Sequence, residues 1–249
     1  MNNKLLLLFV AVVTSLATLS SRASADLSYD VAADFSFSNN PNGTWTYGWA
    51  SSVGGAFSLS LDKRIFDGGL QQWMGNPNSE PEVYGHPSVF FNPNSSPTGN
   101  GYFVPVNGVA FHPGLDGAHT AIRWTAQISG SYNLHSEFTK LHFGSTSIHV
   151  FKNDSELFSG ITGDSPLTFN AQLDLLSGDT FTFMAGSGLD GYYGDSTGVV
   201  ARITAVPEPT STTLVFLSVL GGLLYRFKRT ANAIGTSYHR SNPIKLSTK

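Results

Sequence analysis

Asp190 and Asp195 enclose Gly191-Tyr192-Tyr193-Gly194. This compact acidic loop could offer oxygens to Ca2+, a hard cation that takes about six to eight of them. Two carboxylates are too few for a ligand set on their own, and Asp beside Gly also serves as a plain turn former. Trp73, Tyr84, Tyr192 and Tyr193 lie in Gly- and Pro-rich stretches that read as loops. Flat rings carried on loops are candidates for stacking on sugar rings, although packing over a core edge uses the same residue types. Hydrolysis of a glycan would need two carboxylates about 5 to 10 Å apart. Glu80 and Glu82 flank Pro81, and Asp62 and Asp67 lie near another turn, but nothing around either pair singles it out. Residues 186–191 match G-x-G-x-x-G after a strand, yet no helix follows to present an amino terminus to a phosphate. Five histidines fall in two groups spaced by seven, His112 and His119, then His135, His142 and His149. In strands an odd spacing puts neighbours on opposite faces, so the recurrence reads as coincidence.

The elements that must hold these groups are strands. Phe57, Leu59 and Leu61 alternate with polar residues, as do Tyr132, Leu134, Ser136 and Phe138, then Leu167 to Leu175, then Phe181 and Phe183. A period of two marks half-buried strands. Gly130-Ser131, Asn153-Asp154 and Ser177-Gly178-Asp179 supply turn chemistry between them. Trp45, Tyr47 and Trp49 also alternate, which would make either a sugar platform or, the favoured reading, part of a sandwich interior. No helical window of twelve residues occurs between the two ends. The expected fold is all-β, an antiparallel sandwich or barrel.

Charge is unevenly spread. Residues 26–206 hold 16 Asp and Glu against 6 Lys and Arg, a net of -10, while the other 8 basic residues sit near the two ends. Such a domain lacks the basic patch that displaces counterions from nucleic acid. Cysteine is absent, which excludes disulfides, thiolate metal sites and a cysteine nucleophile.

Both ends read as targeting segments. Lys4, an apolar run over residues 5–19 and Ala23-Ser24-Ala25 before Asp26 make residues 1–25 a secretory signal peptide. At the other end Val206-Pro207-Glu208-Pro209 precedes an apolar run over 214–225 and then Arg226, Lys228 and Arg229. This order of parts resembles the PEP-CTERM sorting signal of Gram-negative bacteria. The resemblance covers residues 206–229. It implies a transmembrane helix, processing at Pro207, Glu208 and Pro209 by an exosortase-like enzyme, and often an exopolysaccharide setting. Residues 210–227 would rise about 27 Å as a helix, short against a hydrocarbon layer of about 30 Å, and a basic polar tail follows over 230–249. Basic residues stay inside, so residues 26–205 would face outward, anchored in the membrane or released at the cell surface after processing.

The stretch from Asp34 to about Arg202 carries a second resemblance. Phe35-Ser36-Phe37-Ser38, Asn40-Pro41-Asn42-Gly43-Thr44-Trp45-Thr46-Tyr47-Gly48, Phe111-His112-Pro113-Gly114, Ile122-Arg123-Trp124-Thr125-Ala126, Ile148-His149-Val150-Phe151-Lys152-Asn153, Ser177-Gly178-Asp179 and Asp195-Ser196-Thr197-Gly198 are similar to the jelly-roll ectodomains common among PEP-CTERM proteins. Those domains are laid out like carbohydrate-binding modules. The resemblance implies a jelly-roll-like β-sandwich. The expected function is that of an exported, non-enzymatic surface or matrix protein that binds, or packs into, polysaccharide. The alternatives are an envelope-polysaccharide hydrolase using loop carboxylates and a purely structural surface protein.

Overall fold

The computed structural model describes residues 27–75 and 85–207. They form fourteen strands: β1 (Ser28–Asp30), β2 (Trp45–Ala50), β3 (Ser58–Leu59), β4 (Asp62–Phe66), β5 (Leu70–Met74), β6 (Ser88–Phe91), β7 (Val109–His112), β8 (His119–Thr125), β9 (Gly130–Lys140), β10 (Thr146–Lys152), β11 (Ser155–Ile161), β12 (Leu167–Leu175), β13 (Thr180–Ser187) and β14 (Thr197–Ala205). One 3-10 turn at Leu115–Gly117 is the only helical element among the described residues. No helix there is long and apolar enough to cross a membrane. The signal peptide, the apolar run over 214–225, Glu208, Pro209 and the tail over 230–249 lie outside the described residues, while Pro207 is included and exposed.

Every strand pairing is antiparallel. The larger sheet runs β12-β9-β14-β7-β6-β5-β4, with β1 also on β14, and the smaller runs β11-β10-β13-β8-β2-β3. Their inner faces share one apolar cluster. The smaller sheet gives Trp45, Tyr47, Trp124 and Phe183, and the larger gives Trp73, Phe111, Phe138 and Ile203. Interdigitated inner faces of this kind define a sandwich, and the alternation along β9, β12 and β13 is the source of it. Trp45 and Tyr47 are core residues, 1% and 0% exposed.

Two strand readings change. The run over 57–61 forms only the two-residue β3, and just beyond it Ser60 is buried while Leu61 is 72% exposed. Asn40 explains the inversion: its amide donates to the carbonyls of both Tyr47 and Ser60 at 2.8 Å, pinning Ser60 against β2. Gly130 and Ser131, expected as a turn, already belong to β9.

The larger sheet carries a second layer on its outer face. Residues 92–108, between β6 and β7, fold back so that Tyr102 and Val104 pack on Leu70, Phe90 and Ala110. Asn92, fully buried, holds this cover by donating to the Ser96 and Val104 carbonyls, both at 2.9 Å. A buried amide that makes its bonds within the loop gives the irregular backbone the partners it would otherwise lack.

Candidate functional site

Registers place Arg64 opposite Gln72 and Gln72 opposite Phe90 on the outer face of the larger sheet. Ser88 and His112 face each other one step along. Around this floor lies a cavity of about 230 Å3. Its walls come from the β4–β5 hairpin tip, the 92–108 cover, His142 after β9 and the 192–196 loop.

A chain of hydrogen bonds fixes the floor. Arg64 Nε donates to Gln72 Oε1 at 2.7 Å, Gln72 Nε2 donates to Ser88 Oγ at 2.7 Å, and Ser88 Oγ donates to the His86 carbonyl at 2.8 Å. The Arg64 guanidinium lies 4.4 Å from the centre of the Phe66 ring. At the hairpin tip Asp67 has φ +34°, a left-handed backbone that Asp tolerates better than most residues. That turn brings its carboxylate within 2.8 Å of the Tyr102 hydroxyl, which donates to it. Burial, together with this acceptor, pushes the Tyr102 phenol up, so it stays protonated.

Two histidines face the same space. Burial holds His112 below its usual range despite the Pro113 carbonyl, and His142 is lowered by burial as well. Neutral imidazoles follow near pH 7. The His112 Nδ1–H donates to the Pro113 carbonyl at 2.7 Å, which leaves Nε2 as an acceptor. His112 lies edge-on to Tyr192 at 6.4 Å, Tyr192 stacks on Tyr193 at 4.3 Å, and His142 touches Phe143 at 4.3 Å. Tyr193, on the cavity wall, and Phe143, packed against Gly194 of that wall, are each 69% exposed.

The sequence-derived candidates fall in different places. Tyr192 and Tyr193 line the cavity, and Tyr84 lies outside the described residues, as do Glu80 and Glu82. Trp73 is not on a loop: it belongs to β5, is 4% exposed, and its indole N–H donates to the Ser36 carbonyl at 2.8 Å. Asp190 and Asp195 lie on either side of the 144–145 backbone. Asp190 accepts from Ser145 N at 3.1 Å and from Ser145 Oγ at 2.5 Å, and the Ser145 hydroxyl, with the Ser145 amide, holds its pKa below the carboxylate norm. Asp195 is fully buried beneath Gly144, and neither of its carboxylate oxygens has a hydrogen-bond partner. Burial lifts its pKa to about 7; the Gly188 amide opposes the rise, the Asp190 charge adds to it, and Lys140 opposes it. No group of three or more His, Cys, Asp or Glu that could hold a metal occurs among the described residues.

Sequence reasoning missed Arg64, Asp67, Tyr102, His112, His142 and Phe143 as a set. It also passed over Gly194-Asp195-Ser196-Thr197-Gly198, which spells G-x-S-x-G. That signature marks a nucleophile when a strand turns sharply into a helix. Here the segment leads into β14, and the Ser196 hydroxyl is buried and bonded to no base.

The geometry defines an all-β antiparallel sandwich with a loop-walled pocket outside its larger sheet. No protein-family model matches the chain, and no curated protein matches it. Solved structures match in part. A CBM51 from Clostridium perfringens GH95, in complex with methyl-galactose, is 18% identical, with 42% of this chain and 75% of that chain covered and a TM-score of 0.31. CBM51-2 in complex with GlcNAc and INT domains from Clostridium perfringens ZmpB is 8% identical, with 61% and 31% covered and a TM-score of 0.34. That alignment spans less than a third of the longer protein. A native family 35 carbohydrate binding module from Clostridium thermocellum is 9% identical, with 66% and 100% covered and a TM-score of 0.27. At these scores the neighbours assign neither family nor ligand, and the fold rests on the strand order given above.

Proposed function

We propose that this is an exported, non-enzymatic surface protein that binds polysaccharide through the pocket on its larger sheet. In this reading the tag at Pro207, Glu208 and Pro209 is processed by an exosortase-like partner, and the run over 214–225 holds the chain in the membrane until then. The observation that carries the binding role is the exposed ring of Tyr193 on the wall of a cavity with a fixed polar floor, with the exposed Phe143 ring beside Gly194 of the same wall. Exposed rings stack on the apolar faces of sugars. The Asp67 carboxylate and the His112 Nε2 offer acceptors to hydroxyl groups inside.

Binding is favoured over hydrolysis on one further observation. Asp67 is the one carboxylate on the cavity wall among the described residues, and it is engaged by Tyr102, whereas glycoside cleavage by paired carboxylates requires two. The test is affinity electrophoresis of the full-length protein through gels carrying neutral and acidic polysaccharides. Retention on at least one polymer is expected, and Tyr193→Ala should weaken it by up to about tenfold, a stacking contact's worth. Passage through every polymer unretarded, with the β circular dichroism intact, would overturn the binding role.

A further inference from the structure

We infer that the pocket takes the terminal ring of a glycan chain and excludes internal segments, an inference that rests on the binding role proposed above. Its size is the first reason. About 230 Å3 falls below the roughly 300–1,000 Å3 of pockets that enclose a drug-sized ligand, which leaves room for one ring and little more. Its walls are the second. A polymer read in mid-chain needs a trough open at both ends, and the outer face of this sheet is obstructed at two points.

At one point of the wall Tyr102 rises from the 92–108 cover and is packed into Phe90, with the ring centres 6.3 Å apart, so it cannot swing aside without opening the second apolar layer. At another point of the wall Gly85, at φ +112°, sits 3.2 Å from Leu115 and 3.5 Å from the Tyr192 ring, measured from the position of an added Cβ. Backbone, Leu115 and Tyr192 therefore close against each other there, and Tyr192 is braced by Tyr193. The exposed Tyr193 ring on the cavity wall, with the exposed Phe143 ring against Gly194, is then the surface offered to the second sugar of the chain.

The test uses the polymer that retains the full-length protein, cut and size-fractionated into fragments of about one to six rings and titrated by calorimetry. Affinity should level off by two rings, changing less than about threefold beyond that, and binding capacity should follow the number of chain ends. Phe143→Ala should weaken the two-ring fragment by several-fold and the single-ring methyl glycoside by clearly less. Affinity that climbs about tenfold or more between three and six rings, or capacity that follows polymer mass, would remove the chain-end reading and keep the binding role. A protein retained by no polymer removes both, and that failure is visible before any fragment is made.

Discussion

Asp195 shows what one residue can do to a loop. Its two carboxylate oxygens are buried without a well-formed hydrogen bond, the nearby Gly188 amide donating instead to the Ser145 carbonyl, and a Cβ on Gly144 would collide with one of them. An ionised carboxylate is costly in such a place, so the group keeps its proton up to about pH 7. The unfolded chain releases that proton near 3.8, and between the two values the folded state binds more protons. Stability from this group is therefore full below about pH 4 and lost as pH rises through about 7. Each unit of difference corresponds to about 1.4 kcal/mol. Asp195→Asn cannot ionise, so its melting temperature should exceed that of the parent by a margin that widens by several degrees from pH 5 to pH 8. A constant margin would show that the carboxylate is not the titrating group. Calcium provides the contrast: a parent melting point that rises with Ca2+ at pH 8, and does so only with Asp195 present, would assign the carboxylates to a cation instead of a proton.

Strands divide by how many of their faces are covered. β9 and β12 have one face on the core, so their sequences alternate and are readable. β5, Leu70–Met74, is buried on both faces: Trp73 points into the sandwich, and Leu70 and Gln72 lie under the second layer. No period of two survives there, which is why Trp73 reads as a loop residue in sequence. The pocket was illegible for a different reason. Its groups run from Arg64 to Ser196 and meet only because the strand order sets β4 to β7 beside β14, whereas Tyr192 and Tyr193 could be picked out as loop aromatics beside Gly. The core is the legible part, and it makes a plain prediction. Trp124 is fully buried and packs its ring 5.2 Å from Tyr29, 5.4 Å from Tyr132 and 5.9 Å from Phe181. Trp124→Ala should cost about 3–5 kcal/mol, read as a lower urea midpoint with an unchanged slope.

At the scale of the molecule, the two ends of the sandwich lie together. β1 pairs with β14 so that Ser28 faces Thr204 and Asp30 faces Arg202, and Arg202 Nε donates to Asp30 Oδ2 at 2.7 Å. Residues 27 and 207 therefore leave from one end of the larger sheet. If the Pro207-Glu208-Pro209 tag is processed in the cell, mass spectrometry of the native surface protein should find its carboxyl terminus near Pro209 and its amino terminus at Asp26. Recovery of a surface form ending at Lys249 would remove the cleavage and keep the anchor. The pocket stands at the far end of the same strand. Gly194 and Ser196 line it just before β14 begins at Thr197, and β14 runs to Ala205 beside the exit, roughly 26 Å away at an ordinary strand rise.

That placement decides how the domain would bear a pull. With a polymer gripped at one end of β14 and the tether leaving from the other, tension runs along the strand. All nine β14 residues are in register with β9, so their bonds would be loaded together in shear instead of parting one after another from a free end. If the pocket binds and the chain is tethered beyond Pro207 as proposed, β14 is the strand that would clamp the domain under load.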